Sequence, residues 1–428
     1  MEQVFVKRLS CVLGITSRPT LRSRLYSLSI FCVITSSCLH LLYKSGLEPL
    51  LNPNTDVSLS IAYMFDLIAR IARVISYIIM HILTYKHADR FEKIYHQLKV
   101  VNRRVCGTPT SLHSNDAFRF AVIFALIRLF ATLTPVFSRS NTELLSNLMN
   151  IPFHLKFIFN FFMELQLFTF CSMLEMSFNA IRARLNRLRK HAPNNSLTQC
   201  GKVIVDKWGL PKQRSHMIFE NVWIITYAES VRSLRRSHAE LCDLANRINA
   251  LFGVRLLVDI TAQLLALLLR LKIVIIWTFT AIKSMRAHDS DDVLQDATEM
   301  ERAISALVLC PIHIGTVYAV VFYCTRTVKK NELVLSEIYR LLNHSLDTKD
   351  SDELKTFALQ LSHRKVQFTA AGVMPLDFSL LYSFIGVVTT YLVILTQFGA
   401  SLSKYTIDCG GDLTKPMEST SNVPEAGE

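Results

Sequence analysis

Gln397 and Phe398 stand side by side at the end of the last long apolar run, behind Thr389, Thr390, Tyr391 and Thr396. On an apolar helix an amide, a phenol and a set of hydroxyls supply polar positions, with Tyr391 as a hydrogen-bonder within a bundle and Gln397 as an interfacial residue. Tyr391 precedes Gln397 by six residues, which sets them about 120° apart around a helix, so they need not face one environment. Ionisable groups interrupt other apolar runs: Asp66 and Arg70 four apart on one helical face, Arg73 near them, then Arg128, Arg255, Asp259, Arg270 and Lys272. Such groups are costly in lipid and are expected to face the interior or a watery cavity, or to pair and lock helices together. Tyr63, Asp66, His154, Trp277 and His313 offer ring stacking and a few polar contacts to a small organic molecule. Each also has a plainer role: the histidines satisfying local backbone, Trp277 anchoring at an interface, Asp66 serving only Arg70.

Enzyme chemistry finds no foothold. There is no Gly-rich nucleotide loop, no HExxH and no Gly-x-Ser-x-Gly elbow, and His363 and Asp377 near the last span lack a nucleophile. The 10 Cys show neither CxxC nor Cys/His ligand spacing, so neither a metal nor a cofactor is expected. Only Cys409 falls clearly on the outer side of the topology below, which leaves no evident disulfide. The formal charge of +13 lies in loops between apolar spans without aromatic interleaving, which argues against nucleic acid and for loops near anionic lipid headgroups.

With 50% hydrophobic and 19% charged residues, the composition is that of a chain surrounded by lipid. Seven spans are expected, at roughly 26–43, 61–85, 117–136, 151–178, 250–280, 303–325 and 377–398. The first is read as uncleaved, because its apolar run is too long and starts too late for a signal peptide. The stretches between spans alternate in Lys and Arg: 1–25, 86–116, 181–249 and 326–376 hold 32, and 44–60, 137–150, 281–302 and 399–428 hold 7. By the positive-inside rule the N-terminus is cytoplasmic and the C-terminus outside. The fold expected is therefore an all-α membrane protein with a helical cytoplasmic layer.

That layer would draw on loop helices in 181–249 and 326–376. The fourth span is expected to continue as a helix with Ile181, Leu185 and Leu188 in one stripe, and 217–248 and 331–363 read as helix, the latter with a break at 343–352. The stretch 190–216 is rich in breakers and reads as a flexible excursion. The domain reading is a cytoplasmic 1–25, a seven-helix unit over 26–398, and an external tail over 399–428 that reads as disordered.

The last forty residues are the most specific. Gly372 and Pro375 make a break, a membrane helix follows, and Gly386 permits close approach of another helix. Thr390-Tyr391, five residues, then Gln397-Phe398 resembles the signature of insect gustatory receptors. His363-Arg364-Lys365, Phe368-Thr369-Ala370 and Leu376-Asp377-Phe378 resemble the branch with many bitter-type and fructose-type members. Ala371, Val387 and Thr396 depart mildly from the family pattern, and Thr396 bears on hydration beside Gln397.

The resemblance implies a homotetramer, or a heteromer with related receptors, around a central cation pore lined by the last helix. Gln397 and Phe398 would form its outer constriction, Thr390 and Tyr391 would pack helices, and each subunit would hold a tastant in the outer half of spans one to six. It also implies opening by a small-molecule tastant without an obligatory G protein, in the plasma membrane of gustatory neurons and their dendrites.

Overall fold

Nothing in 213–287 breaks a helix: the stretch has no proline and one glycine, Gly253. In the computed structural model of this chain it is a single helix. The described residues are 21–43, 47, 57–107, 123, 126–127, 144–191, 213–287, 293–344 and 350–410, and the described side chains leave out stretches such as 57–66, 144–159, 213–226 and 398–410. Among the described residues the elements are α1 (Leu21–Leu42), α2 (Val57–Cys106), α3 (Leu144–His191), α4 (Gln213–Ala287), α5 (Val293–His344), α6 (Asp350–His363), β1 (Thr369–Ala370), β2 (Met374–Pro375) and α7 (Phe378–Gly410). The third expected span, 117–136, lies outside them except for helical positions 123, 126 and 127.

The lengths decide how these helices sit. α4 has 75 residues, a rise of about 110 Å, against a hydrocarbon core of about 30 Å. Most of it must therefore stand outside the bilayer. α2, α3 and α5, with 50, 48 and 52 residues, likewise overrun a span at one end. The charged segments read from sequence as separate loop helices are continuations of the spans, because no breaker separates them. Of the break expected at 343–352, residues 345–349 lie outside those described, and Ile181 and Leu185 are fully buried on the continuation of α3, with Leu188 packed beside them. Of 399–428, expected to be an external and disordered tail, residues through Gly410 continue α7 as helix and the rest lie outside those described.

Apolar surface divides accordingly. Ile71, Ile75 and Ile82 on α2, Ile304, Leu307 and Ile314 on α5, and Ile385 and Val393 on α7 are exposed. A belt of this kind suits lipid rather than water. Tyr227–Phe279 and Ala303–Asn343 are long and apolar enough to cross a membrane, and Leu25–His40 and Phe378–Ile394 are shorter apolar stretches. In the overrunning part, by contrast, Phe178, Leu241, Ile248, Val334, Ile338, Leu354 and Phe357 are all but inaccessible. There the hydrophobic effect has water to work against, and α3, α4, α5 and α6 close on a conventional core. Its rim carries ion pairs such as Arg232–Glu353 at 2.7 Å and Arg104–Glu240 at 3.0 Å, which, half exposed, contribute little each.

At the centre of this core His238 Nε2 lies 2.7 Å from Asn331 Oδ1, with the rings of Phe178 and Phe357 at 5.7 and 5.6 Å. Burial holds the imidazole down at about 4, against the ordinary 6.5, despite the opposing bond to Asn331. The unfolded chain therefore takes up the proton first as pH falls, and stability drains away between about 6.5 and 4. By pH 5 the expected loss is about 2 kcal/mol. The thermal midpoint of purified protein should drop from pH 7.5 to 5, and His238→Gln should flatten that drop.

Candidate functional site

The element that brings α7 to the membrane is the hairpin before it. Thr369 pairs with Pro375 and Ala370 with Met374, and the turn puts Ala371 at φ 54° and Gly372 at φ 75°, a left-handed pair in which glycine is at ease. What reads from sequence as a break is thus a clasp. Asn249 of α4 holds it from both sides, accepting from Thr369 N at 2.8 Å and donating to Thr369 Oγ1 at 3.2 Å. Arg364 reaches Asp243 at 2.9 Å, and Val366, Phe368, Ala370 and Leu376 are buried. Asp377 then caps α7 by accepting from Ser379 N at 2.9 Å.

The clasp explains the glycine in α4. A Cβ on Gly253 would stand 3.1 Å from Ala371 N and 3.3 Å from its Cα, both backbone atoms that cannot swing aside. Gly253→Val is expected to cost about 1–3 kcal/mol through overpacking, read as a lower thermal midpoint. Gly386→Ala should leave the midpoint of the single subunit unchanged, because nothing lies within 4 Å of the added atom. Among the described residues, none makes the close approach expected at Gly386.

α7 has one face in the protein and the rest outside it. Leu380 and Phe384 are buried, and Leu381 and Val388 pack beside them. Tyr382 is 76% exposed and Ile385 61%, with Val387, Val393 and Ile394 also exposed. Thr389, Thr390 and Thr396 turn their hydroxyls to the carbonyls of Ile385, Gly386 and Val393 at 2.8–2.9 Å. Those hydroxyls are therefore engaged with their own helix. Tyr391 is half-buried and Gln397 exposed, as their angular separation implies. The side chain of Phe398 lies outside those described, as do those of Tyr63, Asp66, Arg70 and His154.

A second constellation lies inside the bundle. His313 of α5, 6% exposed, places Nδ1 2.6 Å from Gln263 Oε1 of α4, and Gln263 Nε2 donates to Asp259 Oδ1 at 3.3 Å. One turn further along, Arg255 donates Nη2 to the carbonyl of Leu83 on α2 at 2.7 Å. Arg255 and Asp259, one turn apart on α4, are engaged with different partners, the Leu83 carbonyl and Gln263. Trp277 is half-buried on α4, about 21 Å in rise beyond Gln263, too far for one small molecule to touch both it and His313. Sequence reasoning passed over Gln263, although Arg255, Asp259 and Gln263 recur every fourth position in an apolar run, the mark of one helical face. It also passed over His81, buried and stacked on Phe31 of α1 at 4.5 Å, and the buried Glu164 and Gln166 of α3.

Long helices crossing a bilayer, a helical layer at one end and a polar interior define a multi-pass membrane protein. The chain belongs to the 7tm chemosensory receptor family, whose sequence profile matches residues 9–401. Over 192 residues it is 26% identical to gustatory receptor 28b of Drosophila melanogaster, covering 44% of this chain and 39% of that protein. Over 169 residues it is 29% identical to gustatory receptor 28a of the same fly, covering 40% and 35%, and over 59 residues it is 44% identical to gustatory receptor 2a, covering 14% of each. The matches thus span about two fifths of the length of the first two relatives. The structure of the insect olfactory receptor OR5 from Machilis hrabei in complex with eugenol superposes with a TM-score of 0.56 at 12% identity, covering 92% of this chain and 98% of that one. A second structure of that receptor gives 0.53 at 11%, covering 93% and 98%. The shared fold is largely α-helical and membrane-spanning, that of insect seven-transmembrane chemoreceptors. Both comparisons lead to receptors, not enzymes.

Proposed function

We propose that this chain is a gustatory receptor acting as a tastant-gated, non-selective cation channel, with bitter plant compounds as its stimulus. The observation that carries the reading is the exposed apolar face of α7. Tyr382, Ile385, Val387, Val393 and Ile394 are exposed, and among the described residues nothing stands within 4 Å of a Cβ added at Gly386, a face that suits neighbouring subunits around a pore. A homotetramer, or a heteromer with related receptors, would put Gln397 and Phe398 at the outer constriction and Thr390 and Tyr391 at the helix contacts. The bitter stimulus rests on the resemblance of 363–378 to its branch.

The 32-to-7 division of Lys and Arg supports a cytoplasmic N-terminus and an external C-terminus, with the helical layer in the cytoplasm. The tastant pocket includes His313 and Gln263, with Tyr63, Asp66 and His154 as further candidates; Trp277, too far along α4, is left out of it. A tastant that binds the open arrangement more tightly shifts the population towards it, and no G protein is needed.

The test is whole-cell recording from cells expressing the chain, with surface abundance measured and a C-terminal epitope stained without permeabilisation. A bitter-evoked cation current that survives G-protein inhibition, together with external staining, is expected. Responses to sugars alone would replace the stimulus class. A response that needs a G protein and carries no current would contradict the channel.

A further inference from the structure

Arg255 is a cation 3% exposed, with its Nε–H buried and unbonded. Nη2 donates to Leu83 O at 2.7 Å, and the guanidinium lies over the Phe252 ring at 5.6 Å. Among the described residues no carboxylate forms an ion pair with it, and Asp259, one turn away, accepts from Gln263 instead. A guanidinium has five N–H donors, and a buried one left largely unsatisfied is costly unless an anion joins it.

The surroundings on α2 are positive as well. Taking 100° per residue, Lys86, His87 and Arg90 lie within about 60° of the Leu83 direction, whereas Asp89 and Glu92 lie about 120° and 180° away. His87 Nδ1 is buried without a hydrogen-bond partner, and Lys86 and Arg90 are exposed. Burial first, then the charges of Arg255, Arg90 and Lys86, holds the His87 imidazole below its usual range. Among the described residues, this face of α2 thus carries no carboxylate. Its depth is informative: Leu83 lies near the end of the 61–85 span and Arg255 near the start of 250–280, so the two meet at one membrane boundary, on the side of the helical layer.

We infer that Arg255, His87, Lys86 and Arg90 hold the phosphate of an anionic phospholipid between α2 and α4 at that boundary. A guanidinium donates two parallel N–H bonds to a phosphate, which would engage donors the protein leaves unused, while Lys86 and Arg90 meet the headgroup from the water side. Basic pockets between membrane helices are suited to such headgroups. The inference rests on the membrane reading above, and with the proposed orientation the leaflet is the cytoplasmic one.

The experiment uses the full-length protein in nanodiscs of phosphatidylcholine alone, or with one part in about five of phosphatidylserine. Wild type is expected to gain at least about 2 °C in thermal midpoint with phosphatidylserine. Lys86→Ala/Arg90→Ala should lose half or more of that gain, and Arg255→Gln essentially all of it. Should Arg255→Gln fail to fold, the double variant and His87→Ala still decide. No gain for wild type, or the full gain in these variants, overturns the site. An equal gain from inorganic phosphate in phosphatidylcholine discs also overturns it, since the occupant is then a free anion. The readout needs neither tastant nor current nor a known orientation, so its failure leaves the channel reading standing, and the converse holds.

Discussion

Cells expressing Phe398→Ala should carry a resting cation current on the order of tenfold above wild type, with no tastant present. A narrow ring of phenyl groups sheds water, and an ion cannot cross a dry constriction at useful rates. Removing every ring in the assembly widens the passage and lets it wet, so the closed state loses its barrier. Replacing external cations with N-methyl-D-glucamine should abolish the inward component. A variant at wild-type surface abundance with wild-type resting current would remove Phe398 from the gate.

The second large effect is expected at the bond between α4 and α5. His313→Ala deletes the partner of Gln263 Oε1, now held at 2.6 Å, and leaves a buried amide short of one bond, at a cost of about 1–3 kcal/mol. If that pair meets the tastant, the dose–response curve moves right by at least about tenfold, since 1.4 kcal/mol is one decade. Gln263→Leu should move it similarly, and the double variant should fall short of the sum, because the two side chains act through one contact. Trp277→Ala, remote from the pair along α4, should move it much less. Unchanged potency in both single variants, with surface abundance equal, would take the pair out of the pocket.

The parts of the fold legible in the sequence are those set by local physics. Apolar runs of span length and the Ile181, Leu185, Leu188 stripe each state their own structure, while the breaker-rich 190–216 lies mostly outside the described residues. The boundaries were less legible, since a helix stops only at a breaker. With one glycine between 213 and 287, the chain has no reason to end its helix at the bilayer surface. Pairings between elements were least legible. Gln263 with His313, Asn249 with Thr369 and His238 with Asn331 join residues 50 to 120 apart, and no local pattern announces such a partner. The spacing of Arg255, Asp259 and Gln263 is that of one polar helical face, but it does not announce that Arg255 reaches a carbonyl on α2.

The central claim is that α7 lines the ion path, and cysteine placed at Gln397 tests it most directly. Gln397 is exposed on α7, so a thiol there is open to a membrane-impermeant methanethiosulfonate applied from outside. Recording on the Phe398→Ala background supplies a current without any tastant. The account predicts that the reagent removes most of that current in Gln397→Cys/Phe398→Ala and leaves Phe398→Ala alone unaffected. Complete labelling of the cysteine with the current unchanged would contradict it.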